Sequence, residues 1–309
     1  MATKRNSKDL AWVSGGLVVL VAVTLLVLHY NRALDVAARS ASRTDRTEQL
    51  AHLRVALSAA SEAEKCAVMA TSDEESRKFA DQSRAASATA AQARDALGAL
   101  LAGNGTDEQR KILVKISEAL SQCRKIDDGL LALAVENSNL KANDLAFGPA
   151  VEAATTVDDA LTNIMKKGAD GSTANARQLM FRAADARDGV LRTLSMLAPH
   201  IAEQSDAKMD ELDAKIAAQD QQVDGDLKAL ESLLGRRNRD LETATAQFGV
   251  FLELKERIIA LSRQNTNVRS LLTSINEKSA AVQACQRAMD ELERAIAAEA
   301  ADQAPVYAR

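Results

Sequence analysis

Two short polar motifs hold the residues best suited to bind a small anion. Asn137 in ENSNLK and Asn265 in QNTNVR are each followed four residues later by a cation, Lys141 and Arg269. Residues four apart share one face of a helix, so each amide would lie beside a positive charge. Together with Arg263, which precedes the second motif, these side chains could bind a carboxylate or another small anion between helices.

A second interpretation of the two asparagines needs no ligand. One polar residue in an apolar helix seam fixes the register and the choice of partner helix at some cost in stability. If Asn137 and Asn265 act only in this way, replacing either with leucine is expected to raise thermal stability, because an apolar seam gains when a desolvated amide is removed. The sequence leaves both interpretations open.

The helix that must position the second motif has a heptad pattern. Its apolar positions step by three and four residues without interruption, which is typical of a helix in a bundle or coiled coil. The one polar member of the seam is Asn265. The seam consists of Phe251, Leu254, Ile258, Leu261, Asn265, Val268, Leu272 and Ile275.

The same pattern occurs earlier in the chain around Asn137. When the seam is shifted by the distance between the two asparagines, the equivalent positions are mostly apolar, with Asp144 as a charged exception. They are Cys123, Ile126, Leu130, Leu133, Asn137, Leu140, Asp144 and Phe147. Cys123 is then a buried apolar side chain or one partner of a disulfide with another of the three cysteines. An internal repeat of this kind predicts two similar helical units.

Composition predicts an all-α protein. Of 309 residues, 47% are hydrophobic but only 3% aromatic, and there are three prolines. Such a chain favours long helices with thin seams. The net charge of −4, with no basic block after the first eight residues, argues against nucleic-acid binding. Three scattered histidines and the lack of phosphate-binding or nucleophile motifs predict no metal, no cofactor and no enzymatic activity.

The segment Leu10–Tyr30 carries no charge and ends near Trp12 and Tyr30. It is long enough to cross a hydrocarbon core of ~30 Å, with the two aromatic residues near the interfaces. We expect a single-pass inner-membrane anchor that contacts lipid, with the basic residues 1–9 in the cytoplasm and the bulk of the chain outside it. A cleaved signal peptide is the alternative.

The predicted fold is therefore one transmembrane helix followed by two tandem antiparallel four-helix bundles. Capping boxes at Ser72–Glu75 and Thr106–Gln109 predict helix starts within the first bundle. The bundles comprise residues 31–167 and 172–303 and are joined at Gly168–Gly171, and residues 304–309 form a disordered tail.

Two segments resemble the third and fourth helices of the four-helix-bundle sensor region of methyl-accepting chemotaxis proteins. The first is LLALAVENSNLKANDLAFGPAVEAATTVDDAL, from Leu130 to Leu161, and its copy is IIALSRQNTNVRSLLTSINEKSAAVQACQRAMDEL, from Ile258 to Leu292. The resemblance covers most of residues 31–298. It implies a ligand-binding region outside the cytoplasm that acts in signal transduction.

The same resemblance sets expectations for partners. We expect a homo-oligomer, most simply a homodimer, and a membrane signalling partner. No HAMP linker or cytoplasmic signalling hairpin follows the bundles within these residues, so we expect a truncated receptor or an anchored bundle that signals through a partner. The alternative function is a structural or adaptor coiled-coil protein of the cell envelope that has no small-molecule ligand.

Overall fold

The computed structural model describes the backbone of residues 7–169, 174–235 and 237–302, and the side chains of residues 24, 26–169, 175–235 and 237–299. Every element in these ranges is helical, which confirms the all-α prediction. A π-helical turn at Ser274–Lys278 precedes the last helix. The helices are α1 (Ser7–Met69), α2 (Asp73–Asn104), α3 (Asp107–Glu136), α4 (Ser138–Phe147), α5 (Pro149–Ala169), α6 (Ala174–Ala202), α7 (Asp206–Leu234), α8 (Arg239–Gln264), α9 (Thr266–Thr273) and α10 (Ser279–Asp302).

Side-chain caps fix several helix starts. At α3 the Gln109 N–H donates to Thr106 Oγ1 and the Thr106 N–H donates to Gln109 Oε1, both at 3.2 Å. At α8 the Leu241 N–H donates to Asn238 Oδ1 at 3.1 Å. The first N–H groups of a helix have no partner within the helix, so these bonds stabilise its start. The capping box predicted at Thr106 is confirmed.

The chain forms two compact units, each assembled from separate stretches of sequence. This division differs from the predicted consecutive bundles at residues 31–167 and 172–303. Unit 1 comprises the described parts of Met1–Ala60, Ala85–Cys123 and Ala281–Arg309. Unit 2 comprises the described parts of Ser61–Arg84 and Arg124–Ala280.

The core of unit 1 is formed by four helices, α1, α2, α3 and α10. Each contributes a fully buried aliphatic side chain, respectively Leu53, Leu97, Ile116 and Leu292. The predicted first bundle instead had α5 as its fourth helix. The apolar period identifies which helices have a core-facing stripe, but thin alanine–leucine stripes do not specify which partner they pack against.

The largest apolar core in unit 2 lies among α5, α6, α7 and α8. Leu161, Leu197 and Ile258 are fully buried in it. Helices α6 and α7 approach so closely at Gly189 that an added Cβ would lie 2.5 Å from Val223 Cγ2, which explains why glycine occupies that position. Helix α5 thus packs with α6, α7 and α8. The internal repeat had instead predicted that it packs with the helices that precede it.

Several predictions fall at the edges of the described residues. Gly168 is buried within α5, whereas residues 170–173 of the predicted linker lie outside the described residues, as do residues 1–6 and 303–309 of the predicted tails. Among the residues whose side chains are described, no helix contains an apolar stretch long enough to cross a membrane. Most of the predicted span Leu10–Tyr30 lies outside those residues.

Candidate functional site

Asn137 and Asn265 each separate two helices. Asn137 has φ 51° and ψ 40° between α3 and α4, and Asn265 has φ 53° and ψ 37° between α8 and α9. These left-handed conformations are uncommon outside glycine, and asparagine adopts them more readily than most residues. The predicted continuous seam is therefore wrong at both asparagines. Beyond the second break the apolar face turns away from the core, which leaves Leu272 40% and Ile275 59% exposed.

The residues that follow each asparagine bind their counterparts in the other motif. The Ser138 N–H donates to Thr266 Oγ1 and the Thr266 N–H donates to Ser138 Oγ, both at 3.0 Å. The Asn139 N–H donates to Asn267 Oδ1 at 3.1 Å, and the Asn267 N–H donates to Asn139 Oδ1 at 3.2 Å. The first turns of α4 and α9 therefore bind each other's side chains through their backbone donors.

Side-chain amides complete this contact. Asn139 Nδ2 donates to Asn265 Oδ1, and Asn267 Nδ2 donates to Asn137 Oδ1, both at 2.9 Å. We refer to the six residues that make these contacts as the asparagine clasp, which consists of Asn137, Ser138, Asn139, Asn265, Thr266 and Asn267. All of them except Asn267 are buried.

The clasp brings together two helix N-termini. Each N-terminus has unsatisfied N–H groups and a partial positive charge, so two of them placed together would repel. Hydroxyl and amide oxygens of the clasp accept hydrogen bonds from these N–H groups and offset the repulsion without an anion. The donors that commonly bind an anion at a helix N-terminus are thus already bonded in this conformation.

The clasp is also bonded to other parts of unit 2. Asn137 Nδ2 donates to Asp73 Oδ1 at 3.0 Å at the start of α2, and this bond lowers the pKa of the Asp73 carboxyl. Asn139 Nδ2 donates to the Ile201 carbonyl at 2.8 Å, and Asn265 Nδ2 donates to the Glu203 carbonyl at 3.0 Å. Both carbonyls lie at or just beyond the end of α6.

The structure brings the two asparagines together, but the three cations predicted to share an anion with them lie apart. Lys141 Nζ donates to the Glu136 carbonyl at 2.6 Å and lies 3.3 Å from Asp73 Oδ2. Arg269 is exposed and makes no hydrogen bond or ion pair with any described side chain.

The third cation, Arg263, is bound to two carboxylates of α7. Its guanidinium pairs with Asp210 at 2.6 Å and also with Asp213. The hydrogen bonds that Arg263 donates to Asp213 and Asp210 raise the pKa of Arg263 above its ordinary value. An anion would have to displace both carboxylates to bind this guanidinium.

A buried histidine in the last turn of α6 contacts Ser262, which lies about one turn before the second helix break. His200 Nδ1 is 2.8 Å from Ser262 Oγ, and the Ser262 hydroxyl donates to the His200 carbonyl at 2.9 Å. His200 Nε2 lies 3.0 Å from Asp213 Oδ1, but the two atoms are not aligned for a hydrogen bond. Burial lowers the pKa of His200, and the nearby Asp213 carboxylate only partly offsets this effect.

These residue types match those of serine hydrolases, but the geometry does not. In such enzymes the histidine accepts the proton of an accessible serine hydroxyl. Here Ser262 is fully buried, and its hydroxyl proton points to the His200 carbonyl. The contact instead ties the end of α6 to the last turn of α8.

Sequence reasoning missed four of the six clasp residues. The matched motifs NSN and NTN contain all four: Ser138, Asn139, Thr266 and Asn267. Small polar side chains that accept hydrogen bonds from backbone N–H groups are typical of helix starts. That signal could have identified helix breaks at both motifs. Nothing in the sequence around His200 indicates its partners.

Comparison of the sequence with models of known protein families gave no match, and neither did comparison with curated proteins.

Proposed function

We propose that this chain is a membrane-anchored sensor outside the cytoplasm. Leu10–Tyr30 is its anchor, and its bulk forms two antiparallel four-helix bundles in which α5 and α10 are exchanged between the tandem repeats. The protein acts in signal transduction by binding a small ligand or a partner protein, as a homo-oligomer and together with a membrane signalling partner. The resemblance of Leu130–Leu161 and Ile258–Leu292 to chemoreceptor sensor helices supports this proposal.

The observation that carries the proposal is the asparagine clasp. A passive spacer needs only apolar seams, whereas buried polar contacts are often less stabilising than apolar packing of the same volume. Left-handed backbone costs most residues about 1–2 kcal/mol, and asparagine reduces this cost at the two breaks without removing it. Specificity of register and switching are the attested reasons for keeping such groups buried. A clasp that can open and close would provide the two states that a sensor needs.

An anionic ligand would act by opening this clasp. Opening would release the backbone N–H groups at the starts of α4 and α9, which can then bind an anion. Lys141 and Arg269 lie one turn beyond the released groups and add positive charge. The proposed ligand-binding set is therefore Asn137, Lys141, Arg263, Asn265 and Arg269, and Arg263 joins it after leaving its two carboxylates.

The alternative function is a structural or adaptor protein of the cell envelope. Four large, exposed apolar side chains of unit 2 favour it, because an adaptor needs exposed apolar surface for its partner. Phe147 is 67% exposed and Ile275 59%, and both occupy equivalent positions in the two repeats. Leu271 and Leu272 are 42% and 40% exposed.

Thermal unfolding of the full-length chain in a mild detergent distinguishes the two functions. The protein is melted with acetate, succinate, inorganic phosphate or nitrate at high concentration. A ligand at a hundredfold excess over its dissociation constant stabilises the folded state by about 2.7 kcal/mol. We expect at least one anion to stabilise the wild-type protein and S232A, an exposed serine control on α7, and to have little effect on K141A or R269A.

If none of these anions changes the melting temperature, the anion-sensing proposal fails. The adaptor function is then tested by chemical cross-linking of the full chain in membranes, where L272D and I275D should abolish any cross-linked complex.

A further inference from the structure

Unit 2 buries several ionisable side chains outside the clasp, and three of them interact with one another. Glu64 on α1 is 0% exposed, Asp127 on α3 is 4% exposed, and Lys278 at the end of the π-helical turn is 2% exposed. Lys278 Nζ donates to Asp127 Oδ2. Two carboxyl groups and one ammonium group therefore lie in the interior, which gives a net charge of −1 if all three are ionised.

Glu64 differs from Asp127 in its hydrogen bonds. Within the part of the chain that is described, neither side-chain oxygen of Glu64 has a hydrogen-bond partner, whereas Asp127 lacks one only at Oδ1. A buried carboxylate that has no partner is strongly disfavoured, and such a group takes up a proton instead. The ammonium of Lys278 stabilises the ionised form of Asp127, so Glu64 is the better site for the proton.

The electrostatic surroundings of Glu64 agree with this assignment. Burial is the main effect and raises the pKa of Glu64, and repulsion from Asp127 raises it further. The nearby Ser274 hydroxyl lowers it, although its geometry falls short of a hydrogen bond to either carboxyl oxygen of Glu64. The charges of Lys278 and the neighbouring Lys65 lower it too, but burial outweighs all three.

Asp127 has a raised pKa as well. Burial is again the main cause, with Lys278 opposing it and the adjacent Asp128 adding repulsion. Burial makes both carboxyl groups hold protons more tightly than usual, but only Asp127 is bonded to the ammonium of Lys278. Glu64 is therefore protonated first as the pH falls.

We propose that Glu64 holds a proton in the folded protein at neutral pH, and that its release at higher pH acts on the π-helical turn through Lys278. Once Glu64 is ionised, two carboxylates compete for one ammonium group. The turn carries both Lys278 and Ser274, and π-helical segments occur frequently at functional sites and are less regular than the α-helix around them. The site is thus a pH-responsive element, and it does not depend on the sensor proposal or on the clasp.

Infrared spectroscopy of the full-length chain in detergent tests for the proton directly. We expect the carbonyl stretching band of a protonated carboxylic acid at neutral pH. The band should shift when the protein is labelled with carbon-13 at the side-chain carboxyl of glutamate, and it should vanish in E64Q. The exposed E62Q variant, two residues away on the same helix, should retain it.

The dependence of stability on pH gives a second test. The folded protein keeps a proton that the unfolded chain loses above its ordinary pKa of about 4.5, so stability is highest below that pH and falls as the pH rises through the folded pKa. The unfolding equilibrium constant should increase by up to tenfold per pH unit through this window, relative to E64Q. Hydrogen exchange at residues 274–279, corrected for intrinsic rates, should accelerate over the same range in the wild type alone.

Three results would overturn the proposal. The first is a wild-type protein without a protonated-carboxyl band at neutral pH. The second is a band that does not respond to labelled glutamate but is lost in D127N. The third is an E64Q protein with the same pH dependence as the wild type. If E64Q does not fold, the labelled wild-type spectrum still decides.

Discussion

Asn139 and Asn267 lie 128 residues apart in the sequence, and each donates its backbone N–H to the side-chain oxygen of the other. Ser138 and Thr266 are paired in the same reciprocal way. Equivalent positions of an internal repeat therefore bind each other, as equivalent residues do across the interface of a two-fold symmetric dimer. The motif that identifies the repeat is also the contact between its two copies within unit 2.

The left-handed asparagines should respond to substitution in a characteristic order. N137A and N137L should each lower the free energy of unfolding by about 2–4 kcal/mol, because they combine a strained backbone with the loss of amide hydrogen bonds. N137G should be less damaging than N137A by about 1 kcal/mol, since glycine adopts positive φ without strain. Chemical denaturation of the full chain measures all three.

This order reverses the expectation that leucine stabilises a helix seam. That expectation assumed a continuous helix through Asn137, whereas the structure has a break there. If N137L instead raises the free energy of unfolding, the helix continues through this position. The clasp, which requires the break, would then not be present.

His200 should make the protein sensitive to acid. Because burial lowers its pKa, the neutral imidazole is favoured in the folded state, so stability is fully present above the ordinary pKa of about 6.5 and is lost as the pH falls through the folded value. Between pH 7.5 and 5, the wild type should lose stability relative to H200Q, by at most about 1.4 kcal/mol per pH unit.

The exposed His52 provides the matched control for this acid response. H52Q should follow the wild-type profile, because its imidazole is solvated in both states. Equal pH profiles for the wild type and H200Q would mean that His200 is not the group that takes up the proton.

Unit 1 depends on a buried arginine. Arg46 donates to Gln109 Oε1 at 2.8 Å and to both carboxylate oxygens of Glu299 at 3.0 and 3.3 Å. R46A leaves these groups without their partner and should cost about 2–4 kcal/mol, toward the lower part of the range for buried pairs because Glu299 is partly exposed. R39A removes an exposed pair with Asp35 and should cost less than about 1 kcal/mol.

Local chemistry made the helices and their starts predictable. Thr106 and Gln109 form a capping box within one stretch of four residues, so its geometry does not depend on distant parts of the chain. The heptad period likewise identified Phe251 and Ile258 as fully buried. Such features need no knowledge of distant partners.

The remaining features depend on contacts between distant residues. The hydrophobic period of α10 does not predict that it packs with α1, α2 and α3, because several helices of this chain have similar thin apolar stripes. Glu64 is an intermediate case. Its spacing from Leu57 and Ala60 is that of one helix face, so its burial agrees with the local period. The charges of Asp127 and Lys278 that act on it come from distant parts of the chain.

Hydrogen exchange at the two helix starts tests the reciprocal clasp most directly. In T266A the amide of Ser138 loses its acceptor, and in S138A the amide of Thr266 does, although neither amide belongs to the substituted residue. We predict that each of these distant amides exchanges about tenfold faster, as expected for the loss of one hydrogen bond, while S232A leaves both unchanged. If each substitution accelerates exchange only within its own helix, the two repeats are not joined by this contact.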